Sequence, residues 1–402
     1  MRIIYLHQYF NTDVGGTRSY EMGRRLVAMG HDVQMVTTDR APLTNGKRSW
    51  RCTQEAGMDV HWLQVPYSNT MEYADRLKAF ATFAWSATRK AVGLGGDVVF
   101  ATSTPLTIAI PAIIAARRNR IPMVFEVRDL WPEVPIALGA LKSPVTIGAA
   151  RLLERVAYRN AARIVALSEG MKAGVVQTGY PADRVTVIPN ACDVELFSVA
   201  AATGVALRGE HPWLQDRPLV VYTGTLGVAN GVGYLARLAA AVRAVDPNVR
   251  FVVIGAGKEE SAVKATAQQL GVLGESFFMI PERPKAEIAR WLSAADIASS
   301  VFVDEPALWA NSANKVFDAL AAGKPVAINY QGWQADLFRE TGAGVALDPT
   351  DLDAAATRLV AALHDRDWLA QAGTAARALA AGRFNRDRLS VELEQVLRAA
   401  RV

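Results

Sequence analysis

Short apolar, β-branched runs alternate with helical patterns along the whole chain. In the first half the runs cover 2–7, 32–37, 59–64, 98–101, 122–126, 163–166 and 185–188. In the second half they cover 219–222, 250–254, 277–280, 297–300, 325–329 and 344–347. They are continuously apolar rather than alternating, which suits strands buried on both faces. Helices between them imply parallel strands joined by right-handed crossovers. The pattern predicts an α/β protein of two Rossmann-like, doubly wound domains, 1–200 and 201–383, facing each other across a deep cleft. A last helix over 384–402 carries Leu389, Leu393 and Leu397 at i, i+4 and i+8, and is expected to pack back toward the first domain. The stretch 190–216 has no clear period and reads as a linker. Ligands of such sheets bind beyond the carboxyl ends of the strands, so function is expected in the loops that follow them.

Composition narrows the class. Of 402 residues, 51% are hydrophobic and 21% charged, a balance that excludes a disordered or fibrous chain. No apolar run approaches the roughly 18 residues of a spanning helix. The opening Met1–Leu6 turns polar at His7, too early for a leader peptide. Cys52 and Cys192 have no paired spacing, which excludes a disulfide scaffold and a cysteine-based zinc site. A cytoplasmic protein fits. The net charge of +5 is lopsided: 23 Lys/Arg against 17 Asp/Glu in residues 1–200, and 21 against 22 in residues 201–402.

Candidate chemistry lies in four strand-end loops. After the first run, Gly15 and Gly16 precede a helix carrying Tyr20, Met22, Leu26 and Val27, with Arg18 and His7 beside them. Paired glycines admit a ligand to the backbone, and a helix N-terminus favours anions; a plain turn reads equally well. The segment Glu126-Val127-Arg128-Asp129-Leu130-Trp131-Pro132-Glu133 puts four charges beside Trp-Pro. It is either an ion-pair knot or a group that orients a hydroxyl or contacts a diphosphate, for which the planar arginine fork is suited. Gly255-Ala256-Gly257-Lys258 has neither the third glycine of a dinucleotide fingerprint, since position 260 is Glu, nor the first glycine of a P-loop, since position 252 is Val. What remains is a tight turn into a helix start bearing Lys258, a generic diphosphate seat. A second seat is expected at Ser312-Ala313-Asn314-Lys315, with Ser312 as the helix cap. Asp318 follows Lys315 by one turn on the same face, so the two suit phosphate and ribose hydroxyls, or form a bland salt bridge. The triplets Asp351-Leu352-Asp353 and Asp365-Arg366-Asp367 fall at helix starts, where aspartate is a normal dipole-matching residue, and no metal site is expected there.

Residues 72–92 read as a helix whose apolar arc, from Phe83 through Phe80, Tyr73 and Leu77 to Trp85, spans about 200°. Arg76, Lys78, Arg89 and Lys90 lie near its edges. Large aromatics flanked by cations suit a membrane interface, and a broad core-packing helix suits the pattern equally.

Together these segments carry a resemblance over nearly the whole chain. They are Tyr5–Phe10 with Gly15–Tyr20, Gly30–Val33, Glu126–Pro132, Ile188–Asn190, Tyr222–Gly227 and Asn314–Pro325. In this order they resemble a GT-B glycosyltransferase of family 4, in particular the bacterial fucosamine-transferase-like enzymes of surface polysaccharide and O-antigen assembly. The resemblance implies transfer of a hexosyl or N-acetylhexosaminyl group from a nucleotide sugar, UDP-linked, with retention of configuration. It implies no cofactor and no metal, because side-chain cations and helix ends stabilise the departing diphosphate. The implied acceptor is a glycan or a polyprenyl-diphosphate-linked sugar, which places the enzyme at the cytoplasmic face of an anionic membrane; nucleic acid is not an expected partner. The family pattern Gly-Arg-x4-Lys-Gly stands here as Gly224-Thr225-Leu226-Gly227-Val228-Ala229-Asn230-Gly231, without either cation. In the family's Glu-x7-Glu pattern, the second Glu is replaced by Asp318 and the first by Ala310.

On this resemblance, Lys258 and Lys315 hold the diphosphate with Gly224, Thr225, Gly257, Ser312 and Asn314 around it. Asp318 holds ribose and Arg283 lies near the base. With the family's first Glu replaced, contact to the donor sugar falls to Asp304, Glu305 or Asn311. Gly15, Gly16 and Arg18 admit donor or acceptor, and Glu126, Arg128 and Asp129 face the acceptor. Three alternatives stand beside it: a sugar-nucleotide 2-epimerase of the same fold, an NAD-dependent oxidoreductase, and an inactive glycan-binding relative.

Overall fold

The computed structural model describes residues 1–12, 18–41, 48–67, 71, 73–103 and 105–401. The chain forms two compact units, Met1–Pro189 with Asp387–Val402, and Asn190–Arg386.

The first unit holds β1 (Arg2–Leu6), α1 (Arg18–Ala28), β2 (Asp32–Asp39), β3 (Trp50–Glu55), β4 (Met58–Gln64), α2 (Tyr73–Leu94), β5 (Val98–Thr102), α3 (Ala109–Asn119), β6 (Met123–Val127), α4 (Glu133–Ala137), α5 (Pro144–Asn160), β7 (Arg163–Ala166), α6 (Glu169–Gln177) and β8 (Val185–Val187). Its sheet runs β3-β4-β2-β1-β5-β6-β7-β8. All neighbours are parallel except the β3–β4 pair. The central strands have no wet face: Ile3, Ile4, Tyr5 and Leu6 of β1 and Val98–Ala101 of β5 are all buried, as unbroken apolar runs dictate.

The edge strand β3 is absent from the apolar pattern. None of its residues is fully buried, so Trp50-Arg51-Cys52-Thr53-Gln54-Glu55 has no continuous apolar run. What makes it a strand is the tight turn at Ala56-Gly57, both at positive φ, which folds it back on β4.

The second unit holds α7 (Val194–Phe197), α8 (Ala201–Glu210), β9 (Leu219–Thr223), α9 (Gly233–Val245), β10 (Arg250–Ile254), α10 (Glu260–Gln269), β11 (Phe277–Ile280), α11 (Lys285–Ala294), β12 (Ile297–Ser300), α12 (Asn314–Ala321), β13 (Val326–Ile328), α13 (Trp333–Thr341), β14 (Gly344–Ala346), α14 (Leu352–His364) and α15 (Arg366–Ala381). Its parallel sheet runs β11-β10-β9-β12-β13-β14. The segment 190–216, which lacks a period and reads as a linker, instead forms α7 and α8. Phe197, Leu207 and Leu214 are buried in the core of this unit, and the amide of Cys192 donates to the Phe384 carbonyl. Two short helices with one buried face are too brief to show a period.

The last helix, α16 (Arg386–Ala399), buries Leu389, Leu393 and Leu397. Ser390 Oγ lies 3.1 Å from Met22 Sδ of α1, and Glu394 lies 3.1 Å from His31 Nε2.

In each sheet the order reverses beside the first strand, between β1 and β5 and between β9 and β12. Those are the switch points where doubly wound sheets leave a crevice at their carboxyl ends.

Candidate active site

In the second unit, the loops after β9 and β10 zip together. Gly224 N donates to Ile254 O at 3.0 Å, Leu226 N to Ala256 O at 2.9 Å and Glu259 N to Leu226 O at 2.9 Å. A Cβ on Gly255 would collide with the Gly224 carbonyl, and one on Gly257 with the Leu226 carbonyl. Loop-on-loop packing by itself therefore demands glycine at both positions. Lys258 is exposed in a turn two residues before α10 begins at Glu260, rather than on the helix start itself.

Lys315, in the first turn of α12, is the central group. Its ammonium donates to Asn230 Oδ1 at 3.0 Å. It also sits 4.9 Å from the Tyr222 ring centroid and 5.2 Å from that of Phe302. Gly224, at φ 144°, would bring a Cβ within 3.0 Å of Lys315 Cε, so only glycine leaves the lysine its full path. Burial pushes the Lys315 amine down to about 7. No ion pair reaches it among the described residues. The aligned position of the lost family lysine is Asn230, whose amide oxygen accepts the hydrogen bond from Lys315.

Of the two readings of Lys315 and Asp318, the bland salt bridge between them does not form. Asp318 is buried and turns to Lys285 at the start of α11, with Nζ 2.9 and 3.0 Å from its two carboxylate oxygens. Lys285 in turn lies 5.3 Å from the Phe197 ring centroid. Three residues along a helix share a face, but the nearer charge across the packing wins. Ser312 is likewise not the cap of α12. The cap is Ala313, with no side-chain bond. Ser312 Oγ accepts from Asn190 N at 3.1 Å, and Asn190 Nδ2 donates to the Ser312 carbonyl. Asn314 opens the helix exposed. Thr225 is exposed beyond the end of β9, where its carbonyl accepts from Tyr222 Oη at 2.9 Å. Asp304 is exposed, while Glu305 spends its carboxylate on the Ala307 amide. Arg283 is exposed and pairs with Glu287 at 3.6 Å. Asp351 and Asp365, the first members of the two Asp-x-Asp triplets, cap α14 and α15 by accepting from Ala354 N and Trp368 N.

In the first unit the charged segment closes on itself. Arg18 Nε donates to Glu126 Oε1 at 2.9 Å, with both side chains buried. The remaining Arg18 nitrogens donate to the Ile188 and Pro189 carbonyls, and Thr102 Oγ1 donates to Glu126 Oε2 at 2.6 Å. Arg18 and Glu126 thus face inward and tie β6, α1 and the end of β8 together, rather than presenting themselves to an acceptor. Arg128 and Asp129 are half-buried, and the Arg128 amide donates to Ser103 Oγ at 2.9 Å. Beside this segment lies His7, buried with Nδ1 unpartnered among the described residues. Burial, reinforced by the positive charge of Arg128, holds the His7 imidazole well below its usual range, in the neutral form. Gly15 and Gly16 lie outside the described residues.

Tyr222, Phe302 and Lys285 carry no spacing signal, because each reaches its partner from a different element. Asn230 is marked only as the place of the missing family lysine, and Tyr222 only as a polar aromatic at a strand end.

Residues 15–191 match the model of the glycosyl transferase 4-like domain, and residues 206–379 that of glycosyl transferases group 1. The chain is a glycosyltransferase of GT-B type, with one Rossmann-like unit from each domain model. It is 23% identical over 292 residues to the protein named colanic acid biosynthesis glycosyl transferase WcaI of Escherichia coli K12, covering 69% of this chain and 71% of that one. Among solved structures it is similar to Anabaena HepE in complex with UDP and glucose, at 18% identity and TM-score 0.73 over 99% of this chain and 100% of that chain. It is also similar to the sucrose-phosphate synthase of Thermosynechococcus elongatus, at 17% identity and TM-score 0.81 over 99% and 98%.

Proposed function

We propose that this enzyme transfers a sugar from a UDP-sugar to a hydroxyl of a glycan or polyprenyl-diphosphate-linked sugar, with retention of configuration and without a metal, in surface polysaccharide assembly. The observation that carries the reading is Lys315: a half-buried amine without a carboxylate partner among the described residues, set among Tyr222, Phe302 and Asn230 at the switch point of the second sheet. A buried cation lacking an anion is stabilised when a ligand brings one, and a diphosphate at the start of α12 meets the free amides of the helix as well. The same charge then stabilises the diphosphate as it leaves, so no cofactor and no metal is required. Lys258 supplies a second, exposed cation, and Arg283 a contact near the base. With Asp318 held by Lys285, the pair presents the ribose with an ammonium and a carboxylate together. In the first unit Arg128, Asp129 and His7 face the acceptor, and Glu126 acts through Arg18 as a positioning residue. The naming of WcaI for colanic acid biosynthesis and the UDP and glucose in complex with HepE support the substrate class. The fucosamine-transferase-like subgroup and a membrane-borne acceptor at the cytoplasmic face follow from the resemblance.

A thermal-shift series tests this. UDP-sugars should raise the unfolding midpoint by mass action, and NAD should not. Lys315→Ala should lose about tenfold or more in donor turnover while remaining folded. A shift with NAD and none with any nucleotide sugar would overturn the assignment. Activity abolished by EDTA and restored by Mg²⁺ would overturn metal independence.

A further inference from the structure

Helix α5 shows water its apolar residues and hides its acid. At about 100° per residue, Val145, Ala149, Leu152 and Val156 fall within roughly 60° of one another, and Glu154 lies opposite them. Val145 is 80% exposed, Leu152 64% and Val156 37%, while Glu154, Ala157 and Tyr158 are buried. Arg151, Arg155 and Arg159 run along one edge of the apolar stripe, all exposed. The neighbouring α3 continues the patch with exposed Ile110, Ile114, Arg117 and Arg118. Arg117 ties the two helices by donating to Asn160 Oδ1 at 2.6 and 3.0 Å. Neither helix exposes a carboxylate; Glu133 of α4 lies 4.0 Å from Arg151.

We infer that α5, with α3 beside it, is the surface by which this protein docks on an anionic lipid bilayer. Valine and leucine side chains enter the boundary between headgroups and acyl chains, and the arginines reach lipid phosphates from the edge of the stripe. A second copy fits the face poorly, because an isologous pairing sets the arginine row of one α5 beside its equivalent. We place the docking on α5 rather than on the aromatic helix α2, whose two phenylalanines do not reach the surface. There Phe80 and Phe83 are buried, and of its large apolar residues Leu77 and Trp85 stand exposed. The inference rests on the reading of a membrane-borne acceptor.

Sedimentation of the full chain with vesicles tests it, using phosphatidylglycerol and phosphatidylcholine in equal parts or phosphatidylcholine alone, without donor or acceptor. The chain should bind the anionic vesicles and release them in high salt. The triple variant Val145→Ser, Leu152→Ser, Val156→Ser and the double variant Arg155→Glu, Arg159→Glu should each bind about tenfold more weakly, and Trp85→Ser within about twofold of the wild type. All four proteins should keep their thermal midpoint and their shift with UDP, since the substituted residues are exposed. Wild-type binding by the triple variant, or equal binding to neutral vesicles, would overturn the docking surface. Self-association in light scattering that the triple variant abolishes would assign the face to a second copy and overturn it too. Vesicle binding lost with the UDP shift intact strikes only the docking; the UDP shift absent with vesicle binding intact strikes only the glycosyl-transfer reading.

Discussion

Arg18 Nε lies 2.9 Å from Glu126 Oε1, and neither side chain reaches water. The pair joins residues far apart in the chain and is completed by Thr102 and two carbonyls at the end of β8. Removing one member of such a pair leaves the other charge buried and unmatched. Glu126→Ala should therefore cost about 3–5 kcal/mol in urea unfolding. A cost below about 1 kcal/mol would mean that Arg18 finds water in the variant.

Binding of UDP should depend on pH through Lys315. Its amine titrates near 7 in the free protein, and the diphosphate favours the protonated form. Below about pH 7 the affinity should be flat. Above it the dissociation constant should rise by up to about tenfold per pH unit, with proton uptake visible in calorimetry at about pH 8 and absent at about pH 6. In the free protein the sign is opposite. The unfolded chain holds this proton up to about 10.5, so stability rises with pH between about 7 and 10.5. Lys315→Met should stabilise the free protein most at or below pH 7 and hardly at all near pH 10. An affinity that does not change from about pH 6 to 9 would remove Lys315 from the diphosphate site.

Glu154 gives a second pH signature. Burial, with Glu133 adding its charge, pushes its carboxyl up to about 7, against the offsetting hydroxyl of Tyr158 and the guanidinium groups of Arg151 and Arg155. The folded chain thus holds a proton between about 4.5 and 7 that the unfolded chain releases, and stability falls as pH rises through that window. Glu154→Gln should gain about 1–2 kcal/mol at about pH 8 and nothing below about pH 4. Equal gains at both ends in denaturant unfolding would rule the titration out.

The strands were readable because their residues are apolar on both faces; each of the thirteen runs forms a strand to within a residue or two at its ends. Trp50–Glu55 escaped because an edge strand facing water carries no such run. At the site, Lys315 was readable from its place at a helix start. Its partners were not, because Tyr222 comes to it from strand β9 and Asn230 and Phe302 from the segments after β9 and β12. Lys315 and Asp318 illustrate the limit: helical spacing puts them on one face, and packing gives Asp318 to Lys285 instead. The same limit hid the outward turn of α5. Apolar spacing reveals a stripe but not which way it faces.

Helix α16 has a consequence for how the protein is made. Residues 387–402 belong to the first unit yet leave the ribosome after all of the second. Until then the Met22 side of α1 and the His31 turn lack their cover, and the early-born unit must wait, partly open, while its neighbour is synthesised and folds. Ending the chain just before Asp387 would therefore injure the half of the protein farthest from the cut, and supplying the missing helix as a separate peptide would be the way to repair it.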